Sequence, residues 1–152
     1  MGQQQLLLVI LVTILVGIAT VVAINVFGTA AQQSNRDAVR QDLLSAASQA
    51  QAIWERPAAM GGYGGTFIPP EGQAFDLRRL NIPRSSDPDD TYTAASIVND
   101  NGTYTFTPGT ADAITIIGVP NDGEVQIQVT ITRVTGTGPD TWEITWAEVV
   151  AT

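Results

Sequence analysis

The residues best suited to chemistry are the carboxylates of the loop Asp87-Pro88-Asp89-Asp90. Carboxylate oxygens are ligands that Ca²⁺ prefers, so Asp87, Asp89 and Asp90 are candidate calcium ligands. The loop lacks the glycine and the full ligand spacing of an EF-hand. The sequence therefore favours a solvated acidic turn, with a calcium site as the alternative.

The residue types that most often carry catalysis are missing, because the chain contains no His, no Cys and no Lys. It therefore lacks the commonest general base, the thiolate nucleophile and the amine nucleophile. The remaining acids, hydroxyls and arginines show no arrangement that demands an active site. We expect a protein that is not an enzyme and that uses no cofactor.

Two short motifs have a simple backbone explanation. Asn101-Gly102-Thr103 matches the N-glycosylation sequon, so Asn101 is a possible acceptor, but Asn-Gly is first a turn signal. The glycine-rich stretch 60–65 is not followed by Lys-Ser/Thr and has no strand-loop-helix context. We interpret it as a loop and not as a phosphate cradle.

The charge pattern excludes a class of partner. Residues up to Arg56 carry equal numbers of arginines and acids, so the whole net charge of −8 lies in residues 57–152. A nucleic-acid partner is not expected, because no basic patch is available to neutralise phosphates.

The N-terminal segment is strongly apolar. Leu6 to Ile24 contains no charged residue and is long enough to span a bilayer as a helix. A signal peptide is the alternative, with Thr29-Ala30-Ala31 as a small-residue cleavage site. Against it, no positive charge precedes the apolar run, and the run is longer than a usual signal core. Because the first basic residue is Arg36, the positive-inside bias predicts no orientation.

The helical pattern continues beyond the apolar run as an amphipathic helix over residues 31–56. Its apolar positions recur at steps of three and four, which predicts a stripe that packs along one seam under a sheet. The stripe consists of Val39, Leu43, Ala46, Ala50 and Ile53, widened by Leu44 and Trp54. Pro57 is expected to end the helix after Arg56, because the residue before a proline avoids the α region.

The remaining residues, 57–152, predict a small antiparallel β head. Strict alternation over Glu124–Val134, with Asn/Asp/Gly turns between runs, is typical of a meander that buries one face. Phe75–Ile82 is predicted as a short helix or strand with Phe75, Leu77, Leu80 and Ile82 in the core. The other predicted strands are Thr66–Pro70, Thr91–Val98, Thr103–Thr107, Ala113–Val119 and Thr141–Val149, where Trp142, Ile144 and Trp146 share a face.

This plan resembles the type IV pilin and pseudopilin family over the whole chain. The resemblance implies an α+β fold, in which a long N-terminal helix has an apolar first half (6–27) and packs its second half (31–56) on a small antiparallel sheet head (57–152). It also implies cleavage between Gly2 and Gln3. The leader differs from the family pattern in having no basic residue. The fifth position, Gln5 or Leu7 depending on processing, is not glutamate.

The resemblance further implies a structural subunit that polymerises through its apolar helix. The positions expected at that assembly surface are Gln5, Leu6, Leu7, Ile10, Ile14, Gly17, Val21, Ile24 and Phe27. The expected partners are identical subunits, the inner membrane before assembly and a pilus or secretion machinery. The expected final location is an extracellular filament at the cell surface. A pseudopilin of a type II-like secretion system and a lone membrane-anchored adhesin or binding module are the alternatives.

Overall fold

The chain divides into two compact units, Met1–Ser34 and Asn35–Thr152. The computed structural model describes residues 2–69, 75–107, 109–135 and 141–150. Helix α1 runs from Gly2 to Glu55 and contributes residues to both units. It continues through Gly17 and Gly28, although glycine is a poor helix former.

The end of α1 lies one residue before the predicted boundary. Pro57 disfavours the α conformation at Arg56, although the Arg56 backbone N–H still donates to the Ala52 carbonyl at 3.2 Å. A 3₁₀ helix at Ala58–Met60 follows, and Gly61 ends it at φ 79°, a left-handed conformation that suits glycine.

The predicted antiparallel meander is confirmed. Within the described residues the sheet has the strand order β1-β2-β3-β4-β5, and each neighbouring pair is antiparallel. The strands are β1 Ser96–Val98, β2 Gly102–Thr107, β3 Ala113–Pro120, β4 Val125–Val134 and β5 Thr141–Val150. Strict alternation in β4 places Ile127, Val129 and Ile131 in the core, as predicted.

Short polar turns set the register of the sheet. Asn99 and Gly102 exchange backbone hydrogen bonds of 2.9 and 3.2 Å, which closes the predicted β1–β2 hairpin. In the β3–β4 turn the Gly123 N–H donates to the Pro120 carbonyl at 2.9 Å, and Gly123 has φ 68°. The last of the turns expected between the β runs, at residues 136–140 between β4 and β5, lies outside the described residues.

Two strand predictions differ from the structure. Residues 66–69 form no strand, while Pro70 lies outside the described residues. The strand predicted over Thr91–Val98 is reduced to β1 and an isolated bridge between Tyr92 and Ile97. The strand is interrupted because Thr93 and Ser96 hydrogen-bond to each other through both backbone and hydroxyl, which closes a local turn.

The segment between the helix and the sheet contributes to the core. Of the two forms predicted, the structure contains a helix, a 3₁₀ turn at Leu77–Leu80, and the Asp76 carboxylate caps it by accepting from the Arg78 N–H at 3.0 Å. All of its predicted core side chains are buried, namely Phe75, Leu77, Leu80 and Ile82.

The second half of α1 packs on the sheet through the predicted stripe. Buried stripe positions are Val39, Leu43, Ala46, Ala50 and Ile53, while Trp54 is half-buried against the core. Leu44 was predicted to widen the stripe, and this is wrong, because its side chain is 53% exposed. Gly118 on β3 lets the helix approach closely, since a Cβ there would lie 2.6 Å from Val39 Cγ1. The α+β fold is therefore as expected.

Candidate assembly surface

The apolar segment of α1 has no cover within its own unit. Every residue from Gly2 to Ser34 is exposed, and the large apolar side chains between Leu6 and Phe27 range from 48% to 74% exposed. No charged residue precedes Arg36. Monomeric soluble proteins rarely expose a continuous apolar surface of this extent. We therefore expect lipid or other helices to bury the segment.

The hydroxyl groups in this segment are satisfied within the helix. Thr13 and Thr20 donate to the carbonyls of Val9 and Val16 at 2.7 and 2.8 Å, four residues earlier in each case. Such bonds remove the cost of placing a hydroxyl in an apolar environment. The two hydroxyl groups therefore do not oppose burial of the segment.

The positions expected at the assembly surface all lie on this exposed helix. Gly2 is the first helical residue, and Gln3 follows it within the helix. The exposed positions are Gln5, Leu6, Leu7, Ile10, Ile14, Gly17, Val21, Ile24 and Phe27. Among the residues that the structure describes, α1 is the helix whose length and composition allow it to cross a membrane.

A buried polar cluster ties the second half of α1 to the β1–β2 hairpin. Asp42 is 8% exposed, and its Oδ2 accepts from the Tyr104 hydroxyl at 2.6 Å. The same oxygen accepts from the side-chain amides of Asn101 and Asn99 at 2.9 and 3.2 Å. Hydrogen bonds to a charged acceptor are stronger than neutral ones. The cluster thus connects α1 to the β1–β2 hairpin through three hydrogen bonds to one carboxylate oxygen.

Burial raises the pKa of the Tyr104 hydroxyl well above its usual range, and the hydrogen bond to Asp42 acts in the same direction. Tyr104 therefore stays protonated and remains a donor. Sequence reasoning missed this cluster, although a signal was present. Asp42 lies three residues after Val39, so it occupies the buried face of an amphipathic helix.

The possible glycosylation acceptor belongs to the same cluster. The Asn101 side-chain nitrogen, the atom that a glycan would modify, donates to Asp42 in the folded chain. Its backbone N–H donates to Asn99 Oδ1 at 2.9 Å within the hairpin turn. The turn interpretation of Asn-Gly is thus confirmed, and attaching a glycan to the folded chain requires breaking the Asp42 contact.

Aromatic rings and an arginine close the other end of the helix–sheet interface. Trp54 and Trp142 meet edge to face, with ring centroids 5.3 Å apart. The Arg133 guanidinium lies 4.8 Å from the Trp54 ring centroid and 5.2 Å from that of Trp142. Such cation–π contacts add stability where the cation is partly desolvated. These side chains hold the last turn of α1 against β4 and β5.

Ion pairs connect the amphipathic helix to loops and strands of the sheet. Arg36 contacts Asp122 and Glu124 at 3.1 Å each, on the β3–β4 turn. Arg40 contacts Asp37 on the helix and Glu148 on β5. The pairs of Arg40 are exposed and contribute little individually. The Arg36–Asp122 pair is more buried, with the Asp122 side chain 9% exposed, and it ties the helix to the β3–β4 turn.

The acidic loop has a local explanation. Asp87 Oδ1 accepts from the Asp89 N–H at 3.0 Å, and the Ser85 hydroxyl accepts from the Asp87 N–H at 3.0 Å. Asp87, Asp89 and Asp90 belong to no group of three or more potential metal ligands in the part of the chain that the structure describes. The favoured interpretation of this loop stays an acidic turn.

An apolar groove lies beside the amphipathic helix. It has a volume of about 620 Å³, and its walls are formed by Leu44 on α1 and Trp146 on β5, above Ile127 on β4. Trp146 is 45% exposed, and it lies on the helix-facing side of the sheet because it pairs with buried Val129.

Comparison of the chain with protein-family models, with curated proteins and with solved structures gives no significant match.

Proposed function

We propose that this chain is a structural subunit that polymerises through the apolar segment of α1 into an extracellular filament of the type IV pilus kind. The observation that carries the proposal is the exposure of every large apolar side chain from Leu6 to Phe27 in an uncharged helix. A helix that is apolar all round is stable only when lipid or other helices surround it.

The proposed mechanism is a transfer of this segment between two apolar environments. Before assembly the segment spans the inner membrane, whose hydrocarbon core requires roughly 20 apolar residues. In the filament the segments of many copies pack together, and each head remains in solvent. The net charge of −8, all in residues 36–152, supports an exposed and soluble head.

Release from lipid requires more than the hydrophobic effect. Lipid tails are as apolar as the helix, so extraction gains little from burial alone. Packing between helices and an assembly machinery must supply the difference. Processing between Gly2 and Gln3 is part of the proposal, and the mass of the mature N-terminus tests it separately.

The test uses surface filaments sheared from cells that produce the full chain. Leu15→Arg places a charge in the apolar segment, and Gln51→Arg adds the same charge to the head-proximal part of α1. We expect negative-stain microscopy and immunoblotting to find filaments of the unmodified chain and of Gln51→Arg, but none of Leu15→Arg. Finding only monomers in the membrane fraction for the unmodified chain would overturn the proposal.

A membrane-anchored binding module is the second candidate, and the groove between Leu44 and Trp146 is the observation that favours it. This candidate predicts that a fragment beginning at Gln32 binds a ligand by itself. The filament proposal predicts that the same fragment is an inert monomer. A pseudopilin of a secretion system shares the filament mechanism and differs in the length of the polymer.

A further inference from the structure

The helix-facing side of the sheet is too wide for one helix to cover. Strands are spaced roughly 4.8 Å apart, so the sheet formed by β1 to β5 in the described residues is about 19 Å wide between its outer strand axes. A helix with its side chains is only about 10–12 Å across. The second half of α1 therefore leaves two flanks that need other cover.

The flank formed by β1 and β2 is covered by the chain itself. The Phe75 ring packs against Phe106 of β2, with centroids 5.1 Å apart. Leu77 and Leu80 of the 3₁₀ turn are fully buried, and the Leu77 N–H donates to the Ala94 carbonyl at 2.9 Å. This side of the sheet is therefore closed.

The β5 flank remains open in the part of the chain that the structure describes. Trp142 and Ile144 pack against the core, but Trp146 and Val150 on the same face are 45% and 73% exposed. Leu44 of α1, 53% exposed, forms the opposite wall. The result is an apolar groove that runs between α1 and β5.

The charges at this groove neutralise each other. Arg40 and Glu148 line it and are paired with one another across it. A charged partner would have to compete with this pair, whereas an uncharged apolar element meets the side chains of Leu44, Ile127 and Trp146 beside a neutral ion pair and the amide of Gln41. The surface is thus complementary to an uncharged apolar helix.

We propose that the groove binds the apolar helix, residues 6–27, of a second copy of this chain. That segment carries no charge and is exposed on all sides, so it can present an uncharged apolar face to the groove. An anionic lipid surface is disfavoured, because it would meet a head that carries all of the net charge of −8. The proposal rests on the proposed filament function and names the contact between subunits.

The absence of cysteine from the chain allows a direct test. Cells co-produce one copy with Leu44→Cys and a differently tagged copy with a single cysteine at successive positions from Leu6 to Phe27. Under oxidising conditions we expect disulfide-linked heterodimers from sheared filaments at one position of the scan, or at two positions three to four residues apart, because a disulfide forms only when the two Cα atoms lie within about 7 Å. Thr145→Cys, exposed on the other face of β5, is the matched control and is expected to give none.

The outcomes separate this proposal from the proposed function. Filaments without cross-links to Leu44→Cys, or with equal cross-linking to Thr145→Cys, overturn the groove contact and leave the filament function standing. If the unmodified chain forms no filaments, the function and this inference fail together.

A second measurement does not depend on cysteine geometry. Leu44→Lys places an ammonium group in the groove, and Thr145→Lys makes the same change of charge on the outer face. We expect Leu44→Lys to lower the filament yield about tenfold or more, because an unpaired charge is costly in an apolar contact. Thr145→Lys should leave the yield within about twofold. Equal yields from the two variants, with both heads folded by circular dichroism, would contradict the proposal.

Discussion

The two halves of α1 share one secondary structure and have opposite surroundings. In residues 6–27 every position is exposed, whereas in residues 39–53 the apolar stripe is buried under the sheet. The first half is apolar all round, while the second half confines its apolar residues to one face. Burial is therefore decided by the pattern around the helix, and within the described residues the second half is the one that the rest of the chain covers.

The largest expected effect comes from separating the two halves. A fragment that begins at Gln32 should move completely from the membrane pellet to the soluble fraction as a monomer. Its free energy of unfolding should lie within about 1 kcal/mol of the value for the full chain in detergent, because the core of the head lies within residues 36–152. Ultracentrifugation and urea denaturation measure both quantities. An unfolded fragment would show that the apolar segment supports the head.

A matched pair of leucines tests the contrast within the helix. Leu43→Ala should lower the free energy of unfolding of the head by about 2–5 kcal/mol, because Leu43 is fully buried. Leu11→Ala, at a position 66% exposed, should change it by less than about 0.5 kcal/mol. Equal losses from the two variants in detergent would remove the distinction between the halves.

The buried cluster provides a smaller effect on the same helix. Asp42→Ala should lower the free energy of unfolding by about 2–3 kcal/mol. The side chains of Tyr104, Asn99 and Asn101 would lose the acceptor that they share at a buried position. Asp37→Ala, whose carboxylate is 60% exposed, is the control and should cost less than about 1 kcal/mol. Chemical denaturation compares them. A cost for Asp42→Ala no greater than that of the control would mean that the cluster does not stabilise the contact between the helix and the hairpin.

The smallest expected effect is a change in how the thermal midpoint depends on pH. It involves Asp76, which caps the 3₁₀ turn that covers β1 and β2. Hydrogen bonding from the Arg78 side chain lowers the pKa of Asp76 below its ordinary value of 3.8. The stabilisation is therefore present above that ordinary value and is lost as the pH falls through the lowered pKa of the folded state. Asp76→Asn should flatten the decline of the thermal midpoint below about pH 4. If the thermal midpoint of Asp76→Asn declined below about pH 4 as steeply as that of the unmodified chain, the proposed contribution of Asp76 would be contradicted.

Periodicity predicted the local elements of this chain well. The alternation in β4, the Asn99–Gly102 turn and the stripe from Val39 to Ile53 are encoded by neighbours in the sequence, and each is confirmed. The wrong predictions depended on contacts that periodicity does not contain. Leu44 fits a widened stripe by spacing, but the sheet beside it leaves a groove.

The polar contacts were harder to predict, because they also depend on tertiary contacts that periodicity does not contain. Asp42 meets Tyr104 across 62 positions of sequence, and Arg36 meets Asp122 across 86. Pairings over such separations depend on the register of helix and sheet, which the sequence pattern does not specify. The apolar N-terminal helix, by contrast, could be predicted from composition alone, because a long run without charge is recognised without tertiary information.

The measurement that tests the central claim most directly is an electron cryomicroscopy map of filaments taken from cells that produce the full chain. We predict a core built from residues 6–27 of many copies, with the heads on the outside and solvent-exposed. A preparation in which the chain occurs only as membrane-bound monomers would contradict this prediction. So would a filament held together by contacts between heads, with residues 6–27 outside its core.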